Sequence, residues 1–164
     1  MRRHRELTPI RVQTPYNQPM RIERRRATEF DRGFLEEVHV AALGPVALVG
    51  YGWTAQRLRE QFRDEVDLAS CEVIAVDGRD VGYVSIEDRG TLWYIDAFAI
   101  GPNHQRRGVG TAVMRVVLAD AGLVPVRLSV LRTNRARSLY ARLGFRVIGG
   151  DRTREQMEWR ASQR

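Results

Sequence analysis

Residues 104–122, HQRRGVGTAVMRVVLADAG, are the most informative part of this chain. Two arginines and two glycines come directly before an apolar run with helical spacing. The N-terminus of a helix already carries partial positive charge, so arginines there are unfavourable unless an anion binds beside them. Gly108 and Gly110 allow the backbone to approach an anion closely, and N–H groups of the first helical turn point towards it. The segment therefore predicts a phosphate-binding site, and its chemistry favours a pyrophosphate.

Two common phosphate-binding motifs do not match this segment. A Walker A loop requires a lysine, and all 27 basic residues of the chain are arginines. The dinucleotide-binding fingerprint requires a third glycine where Val113 stands, and an acidic residue about 20 positions further on. The pattern that remains is Gln-x-x-Gly-x-Gly, over residues 105–110, after an apolar strand.

Length and composition indicate one globular domain. The chain has 164 residues, of which 43% are hydrophobic and 29% are charged. Cys71 is the only cysteine, which excludes an internal disulfide framework and favours a reducing, cytoplasmic location. No apolar run reaches the roughly 20 residues of a membrane span, so we expect no membrane partner. No metal site is predicted either.

The positive charge is concentrated near the N-terminus. Residues 1–26 hold eight arginines against Glu6 and Glu23, which accounts for +6 of the net +7. We expect residues 1–20 to form a basic, proline-containing arm that is extended or poorly ordered, followed by one domain over 21–164. A basic arm can bind nucleic acid, but these arginines are not interleaved with aromatic residues, so a nucleic-acid partner is not expected.

Hydrophobic periodicity predicts a mixed α/β fold. The first half should contain a strand over 21–28, a helix over 29–43, an apolar loop over 44–52, a helix over 53–66, and strands near 71–76, 80–87 and 91–100. The second half should contain a helix over 108–121, a strand over 126–131, a helix over 134–144, and strands over 145–150 and 155–160. The predicted order is β-α-α-β-β-β-α-β-α-β-β, a mixed sheet with an antiparallel meander and a later crossover.

Two motifs carry a resemblance to a known family. The Gln-x-x-Gly-x-Gly pattern after a strand resembles the pyrophosphate-binding loop of the GNAT superfamily of N-acetyltransferases. Asn134, Ala136, Tyr140 and the Gly144-Phe145 pair also resemble a GNAT pattern, although Asn134 lies one residue closer to Ala136 than in the commonest version. The resemblance covers about residues 21–160 and implies the GNAT-like fold.

The resemblance implies an enzyme that binds acetyl-CoA as co-substrate. In this family the amine attacks the thioester directly in a ternary complex, and no covalent enzyme intermediate forms. The backbone of β-strand 91–100 should splay from the next parallel strand and contact the cofactor. The residues that the resemblance assigns to cofactor binding are Phe98, Ile100, Gln105, Arg106, Arg107, Gly108, Val109, Gly110, Thr111, Asn134 and Tyr140.

Two side chains are predicted to be catalytic. The resemblance makes Tyr140 the acid that serves the leaving thiolate, since a phenol with a pKa of about 10 can hydrogen-bond or protonate it. The alternative is that Tyr140 only packs in the core. Asp96 stands two residues before Phe98, on the same predicted strand face, and could take the proton of the amine with a pKa raised by apolar neighbours. The alternative is that water carries this proton and Asp96 is structural.

The acceptor should enter beside the predicted loop 44–52, where we expect Tyr51 and Trp53 to bind it. This loop has no acidic residue, which favours a small or partly apolar amine, an amino acid or a peptide N-terminus over a polycation. A homodimer is compatible with the resemblance. The competing hypothesis is a non-catalytic module that binds CoA, or that binds nucleic acid through its arginine-rich arm. His39, in the first predicted helix, is interpreted as structural.

Overall fold

The computed structural model describes residues 7, 9–13 and 19–162, which form an eight-stranded mixed sheet with helices on both faces. The strands are β1 (Ile10–Gln13), β2 (Pro19–Arg26), β3 (Cys71–Val76), β4 (Arg79–Asp88), β5 (Trp93–Ile100), β6 (Val126–Leu131), β7 (Arg146–Gly150) and β8 (Arg154–Trp159). The α-helices are α1 (Arg32–Tyr51), α2 (Ala55–Glu65), α3 (Val109–Ala121) and α4 (Ala136–Arg142). The strand order across the sheet is β1-β2-β3-β4-β5-β6-β8-β7.

Each face of the sheet has its own hydrophobic core. On one face, Leu35 of α1 and Phe62 of α2 pack with Tyr83 of β4, and all three side chains are fully buried. On the other face, α3 packs Val113 and Val117 into a larger cluster that includes residues of β2 to β6 and β8. Burial of these apolar side chains is the main force that holds the two helical layers on the sheet.

The predicted order of elements is confirmed from β2 onwards. The structure adds β1, which pairs antiparallel with β2 and sets Ile10 opposite Ile22. Residues 10–13 and 19–20 of the predicted arm are therefore strand residues, which agrees with extended backbone. Residues 1–6, 8 and 14–18 of the predicted arm lie outside the described residues. The division of the chain at residue 20 therefore stays a prediction.

The prediction of a loop over residues 44–52 is wrong. Helix α1 continues through Pro45 to Tyr51 and ends at Gly52, whose φ of +68° suits a left-handed helix cap. The Gly52 N–H group bonds the carbonyls of Ala47 and Leu48. The glycines and the proline suggest a loop, but their low helix propensity is overridden because Ala47 is buried on the same side of the helix as the preceding turns.

This longer helix also changes the expectation about membranes. The segment Glu29–Tyr51 has the length and the mean hydropathy, 1.3, of a helix that could cross a membrane. This is weak evidence for a membrane span, because the core helices of water-soluble proteins meet the same criterion. In this structure α1 packs on the sheet through Leu35 and Val38.

Candidate active site

The site is built around a gap between the parallel strands β5 and β6. Their ladder begins with Trp93 opposite Val126 and ends with Ile95 opposite Leu128. Beyond that point β5 continues to Ile100 without pairing with β6, as the predicted splay requires.

The backbone of β5 presents hydrogen-bonding groups to this gap. The Gly101 N–H group donates to the Val81 carbonyl of β4, 2.8 Å away. Because N–H directions alternate along an antiparallel strand, the N–H groups of Phe98 and Ile100 point away from β4 and into the gap. The Gln105 side chain donates to the Ile100 carbonyl, 2.8 Å away, on this same open side. Gln105 thereby ties the loop after β5 to the end of the strand.

The loop before α3 has the backbone of a close anion-binding turn. Arg106 has a φ of +59° and Gly108 a φ of +83°, both in the left-handed region that favours glycine. Helix α3 then begins at Val109, so its first N–H groups have no acceptor within the helix. The Val109 side chain is buried in the core, so only its backbone could contact a ligand. A Cβ atom at Gly110 would lie 3.5 Å from Leu139.

A cavity of about 950 Å³ extends from this loop to α4 and to the C-terminal half of α1. It brings together nine of the predicted cofactor residues: Phe98, Ile100, Gln105, Arg106, Gly108, Gly110, Thr111, Asn134 and Tyr140. Arg107 and Val109 do not line it. Arg135 and Arg142 do, and no Asp or Glu is among the lining residues, so the cavity carries a positive charge that suits an anionic ligand.

The two predicted residues of the Asn-Tyr motif have different surroundings. The Asn134 Oδ1 atom accepts a hydrogen bond from the Ala136 N–H group, 2.9 Å away, so this side chain forms a local turn at the start of α4. Tyr140 is buried, and its ring lies 5.6 Å from that of Phe145. Burial raises the pKa of Tyr140, so its phenol keeps its proton at neutral pH.

The expectation that Asp96 shares a strand face with Phe98 is wrong. Ser85 of β4 pairs with Ala97 and Ile86 pairs with Ile95, so Asp96 is the extra residue of a β-bulge. The bulge breaks the alternation of β5, and Ile95 and Phe98 both pack on the α3 side of the sheet. Ala97 packs on the α1 side.

The Asp96 carboxylate lies on the α1 side as well. Burial is the main cause that raises the pKa of the Cys71 thiol, which is in the core under α1, and the Asp96 charge adds to it. The pKa of Asp96 itself is raised by partial burial and by the Glu87 charge, against the opposing effect of Arg89.

A second cavity, of about 90 Å³, occupies the gap between β5 and β6. Asp96 and Tyr140 both line it, together with Val46 of α1, Ser129 of β6 and Arg154 of β8. Tyr140 also lines the larger cavity, so the two cavities adjoin at this residue. Both predicted catalytic residues therefore line the same small space, although they belong to different elements.

Arg154 is the side chain that sequence reasoning missed. Its guanidinium donates from Nε to the Ser129 hydroxyl, 2.7 Å away, from Nη2 to the Ser129 carbonyl, 3.0 Å away, and from Nη1 to the Tyr51 hydroxyl, 3.2 Å away. The only signal in the sequence is the alternation of β8, where half-buried Arg154 precedes buried Glu155. A chain with 27 arginines gives that signal little weight.

The two predicted acceptor residues do not line either cavity. Tyr51 is connected to the smaller cavity through its hydrogen bond with Arg154. The Trp53 ring lies 5.0 Å from the ring of Tyr51, and the Arg57 guanidinium lies over it, 5.3 Å from the ring centroid. Trp53 therefore supports Tyr51 rather than the cavity wall. Over residues 7, 9–13 and 19–162, no cluster of three or more His, Cys, Asp or Glu could hold a metal ion.

Solved structures of known proteins share this architecture. The PaiA N-acetyltransferase from Thermoplasma acidophilum in complex with coenzyme A aligns with a TM-score of 0.63 and 18% identity, over 85% of this chain and 99% of that chain. An acetyltransferase from Thermus thermophilus aligns with a TM-score of 0.65 and 21% identity, over 85% of this chain and 97% of that chain. The ribosomal-protein-S18-alanine N-acetyltransferase from Escherichia coli aligns with a TM-score of 0.67 and 16% identity, over 87% of this chain and 96% of that chain. At these identities the likeness concerns the fold.

The sequence itself matches a family model. No curated protein sequence matches the chain significantly. The model of the acetyltransferase (GNAT) domain, however, matches residues 67–147, which run from just before β3 through the phosphate loop and α4 to the start of β7. With the splayed strands and the loop of Gly108 at the head of α3, this match shows that the chain belongs to the GNAT superfamily of acetyl-CoA-dependent N-acetyltransferases.

Proposed function

We propose that this enzyme transfers the acetyl group of acetyl-CoA to the primary amine of a small acceptor, by direct attack within a ternary complex. The observation that carries the proposal is the meeting of two cavities at Tyr140. The larger one is positively charged and begins at the phosphate loop, and the smaller one lies in the gap of the sheet. A cofactor and an acceptor that enter from these two sides would meet beside one buried phenol.

The residues of the larger cavity fit acetyl-CoA. The N–H groups at the start of α3 and the charges of Arg106, Arg135 and Arg142 would hold the phosphates. The N–H groups of Phe98 and Ile100 would bond the pantetheine arm and the thioester oxygen, as in an oxyanion hole. When bound, acetyl-CoA supplies a thioester whose acetyl carbon is open to attack by an amine, with loss of the CoA thiolate.

Two side chains would manage the protons. The nitrogen must lose one proton and the leaving sulfur must gain one. Tyr140 remains protonated because burial raises its pKa, so it donates a hydrogen bond to the sulfur as negative charge develops there. Asp96 accepts the proton of the amine, directly or through water in the smaller cavity that both residues line.

The walls of the smaller cavity favour a compact acceptor. The α1 residues that line it are apolar, Leu43, Val46 and Ala47, and Asp96 is its only acidic lining residue. A polycationic acceptor would require several carboxylates, so we infer a small or partly apolar amine, an amino acid or a peptide N-terminus. The Escherichia coli structural neighbour acts, by its name, on an alanine amine, which agrees with this range of acceptors.

The decisive experiment is a thiol-release assay with acetyl-CoA and a panel of amines. We expect release to depend on both substrates and to reach saturation with the preferred amine. Binding of acetyl-CoA by calorimetry without amine-dependent release would instead identify a non-catalytic CoA-binding module. Salt-sensitive retention of DNA or RNA that is lost when Arg2, Arg3 and Arg5 are replaced by glutamine, without CoA binding, would favour a nucleic-acid-binding module.

A further inference from the structure

The Arg154 guanidinium lies at the edge of the gap between β5 and β6. The Arg132 N–H group bonds the Thr153 carbonyl, 2.9 Å away, so groups at even-numbered positions of β6 face β8. The Ser129 carbonyl, at an odd-numbered position, therefore faces β5. That carbonyl accepts from Nη2 of Arg154, which brings the guanidinium into the space that β5 leaves open.

Within the described part of the chain, this cation has no carboxylate partner. Other arginines around it form ion pairs: Arg127 with Glu158, and Arg132 and Arg137 with Glu155. The groups that bond Arg154 are two hydroxyls and one carbonyl, all of them neutral. A partly buried guanidinium is usually paired, so an unpaired one that lines a cavity indicates an anionic group on the ligand.

The unused donors of Arg154 are sufficient in number for a carboxylate. A guanidinium has five N–H donors, and the three hydrogen bonds use one each on Nε, Nη1 and Nη2. One N–H therefore remains on each of the two terminal nitrogens. Two such donors can bind both oxygens of a carboxylate at once, which is the strongest pairing that arginine makes.

The size of the smaller cavity limits what can bind there. Its volume of about 90 Å³ holds only a few water-sized groups. That is enough for a carboxylate and the carbon that carries it, but not for a long spacer. Because Asp96 and Tyr140 line the same cavity, the reacting amine and the carboxylate must be close together in the acceptor.

We propose that the acceptor is a small amino-carboxylate of the α-amino acid class, and that Arg154 selects it by binding its carboxylate. This inference rests on the proposed acetyl transfer and narrows its acceptor. A peptide N-terminus has an amide where a free amino acid has a carboxylate, so it would leave the two donors of Arg154 unpaired. Arg154 is thus a specificity-determining residue rather than one that handles protons.

The test compares each free amino acid with its primary amide as acceptors for the wild-type enzyme. The two compounds differ in one charged group and keep the same amine and side chain. We expect kcat/KM for the best free amino acid to exceed that of its amide by about 10- to 100-fold, the size expected for a hydrogen-bonded charge pair. A ratio near one, or a preference for amides, would overturn the proposal without any mutation.

Two substitutions locate the effect. Arg154→Gln should reduce the ratio to near one by raising the acceptor KM, and should leave the calorimetric Kd for acetyl-CoA unchanged. Arg152→Gln removes the same charge from an exposed position of the adjacent β7–β8 turn and should retain the wild-type ratio. If Arg154→Gln lowers kcat equally for acids and amides, Arg154 would act on the reacting thioester carbonyl or on the fold rather than on the acceptor. That result would also overturn the proposal.

Failure of this inference is distinct from failure of the acetyl transfer itself. If amines are acetylated but acids and amides react alike, the proposed function stands and the role of Arg154 does not. If no amine in the panel causes thiol release, calorimetric titration of CoA-bound enzyme with a free amino acid and with its amide still tests whether Arg154 binds a carboxylate. Tighter binding of the acid that is lost in Arg154→Gln supports the site, and equal binding refutes it.

Discussion

Nη1 of Arg154 donates a hydrogen bond to the Tyr51 hydroxyl across 3.2 Å, between residues that are 103 positions apart in the chain. The bond joins the last residue of α1 to the first residue of β8, beside the smaller cavity. The end of α1 also packs closely on β6 at Gly50, where a Cβ atom would lie 3.3 Å from the Leu131 side chain. The end of α1 thus helps to fix the guanidinium that we assign to acceptor selection.

Loss of this hydrogen bond should weaken acceptor binding. In Tyr51→Phe the ring still packs on Trp53, but Arg154 loses one of its three fixed partners. We expect the acceptor KM to rise about fivefold, equivalent to about 1 kcal/mol for one hydrogen bond, with little change in kcat or in the Kd for acetyl-CoA. Trp53→Phe, which retains the hydroxyl, is the control. An unchanged KM in Tyr51→Phe would show that Ser129 alone holds Arg154 in place.

A bulky residue at Gly108 should abolish the stabilisation that acetyl-CoA provides. Acetyl-CoA should raise the melting temperature of the wild-type enzyme, because a ligand that binds only the native state stabilises it. Gly108→Val places a β-branched side chain at a φ of +83° in the phosphate loop, so the phosphate can no longer approach the backbone. Gly90→Val is a matched control, since Gly90 has a φ of +81° in the β4–β5 turn and open space around it.

Both variants should lose stability of their own, by about 1–3 kcal/mol for a strained backbone. Only Gly108→Val should lose the acetyl-CoA-dependent shift in differential scanning fluorimetry. If both variants respond to acetyl-CoA like the wild type, the cofactor binds elsewhere.

Asp96 should control the acid limb of the pH profile. A base works only when it is deprotonated, so kcat/KM should fall as the pH drops through the pKa of Asp96. That pKa is raised above its ordinary value by burial and by Glu87. The midpoint of the acid limb should therefore lie at a higher pH than the usual pKa of an aspartate. Asp96→Asn should lower kcat/KM by about 10²–10⁴ and remove the limb. Asp88→Asn, at the exposed end of β4, is the control, and a twofold effect in Asp96→Asn would assign the proton to water alone.

The second half of the fold could be predicted from sequence to within two residues. Strand β6 has the predicted bounds 126–131, and α3 differs from its prediction by one residue. These elements have strong periodicity, and each ends at a glycine or in a short turn. Local sequence therefore determines them, and the phosphate loop follows from the same segment because Gly108 and Gly110 are needed where the helix begins.

The features that the sequence could not reveal depend on contacts between distant segments. The bulge at Asp96 arises from the pairing of β5 with β4, and no feature of β5 alone indicates that a residue is inserted there. Arg154 lines the smaller cavity because β5 and β6 separate after Ile95. The point of separation is set by the pairing of two strands and cannot be read from either strand alone. The helix that replaces the predicted loop 44–52 is held by packing rather than by propensity.

His39 should make folding stability fall as the pH decreases below about 6.5. The Nε2 atom lies 3.1 Å from the Gln61 Oε1 atom, which can only accept, so Nε2 carries the proton and Nδ1 accepts from the Tyr83 hydroxyl, 2.7 Å away. Burial lowers the pKa of His39, although Gln61 and the Glu65 charge oppose this, so the folded chain favours the neutral ring to which these hydrogen-bond roles apply. The unfolded chain, with a His pKa of about 6.5, binds more protons below that pH, so stability should fall as the pH decreases.

The slope can reach about 1.4 kcal/mol per pH unit for one proton. Urea denaturation of the wild type at several pH values measures it. His39→Gln should remove most of this dependence, whereas His104→Gln, on the loop before α3, should retain it. Equal slopes in the wild type and in His39→Gln would contradict the assignment.

Tyr140→Phe separates catalysis from binding. The substitution keeps the ring that packs on Phe145 and removes only the hydroxyl, which no group of the described residues hydrogen-bonds. If this hydroxyl serves the leaving thiolate, kcat should fall by about 10²–10⁴ while the Kd for acetyl-CoA changes little. Because no hydrogen bond within the described part of the protein is lost, the melting temperature should not decrease.

Tyr83→Phe provides the matched control for this last prediction. Tyr83 is also a buried tyrosine, but its hydroxyl bonds His39, so removal of the hydroxyl should cost about 1 kcal/mol of stability and leave turnover intact. Steady-state kinetics at saturating acceptor, together with calorimetry for acetyl-CoA, measures both variants. A Tyr140→Phe enzyme within twofold of the wild type in kcat would make Tyr140 a core residue, because a group needed only in the transition state cannot be removed without slowing the chemical step. Weaker acetyl-CoA binding with normal kcat would instead assign the hydroxyl to holding the cofactor.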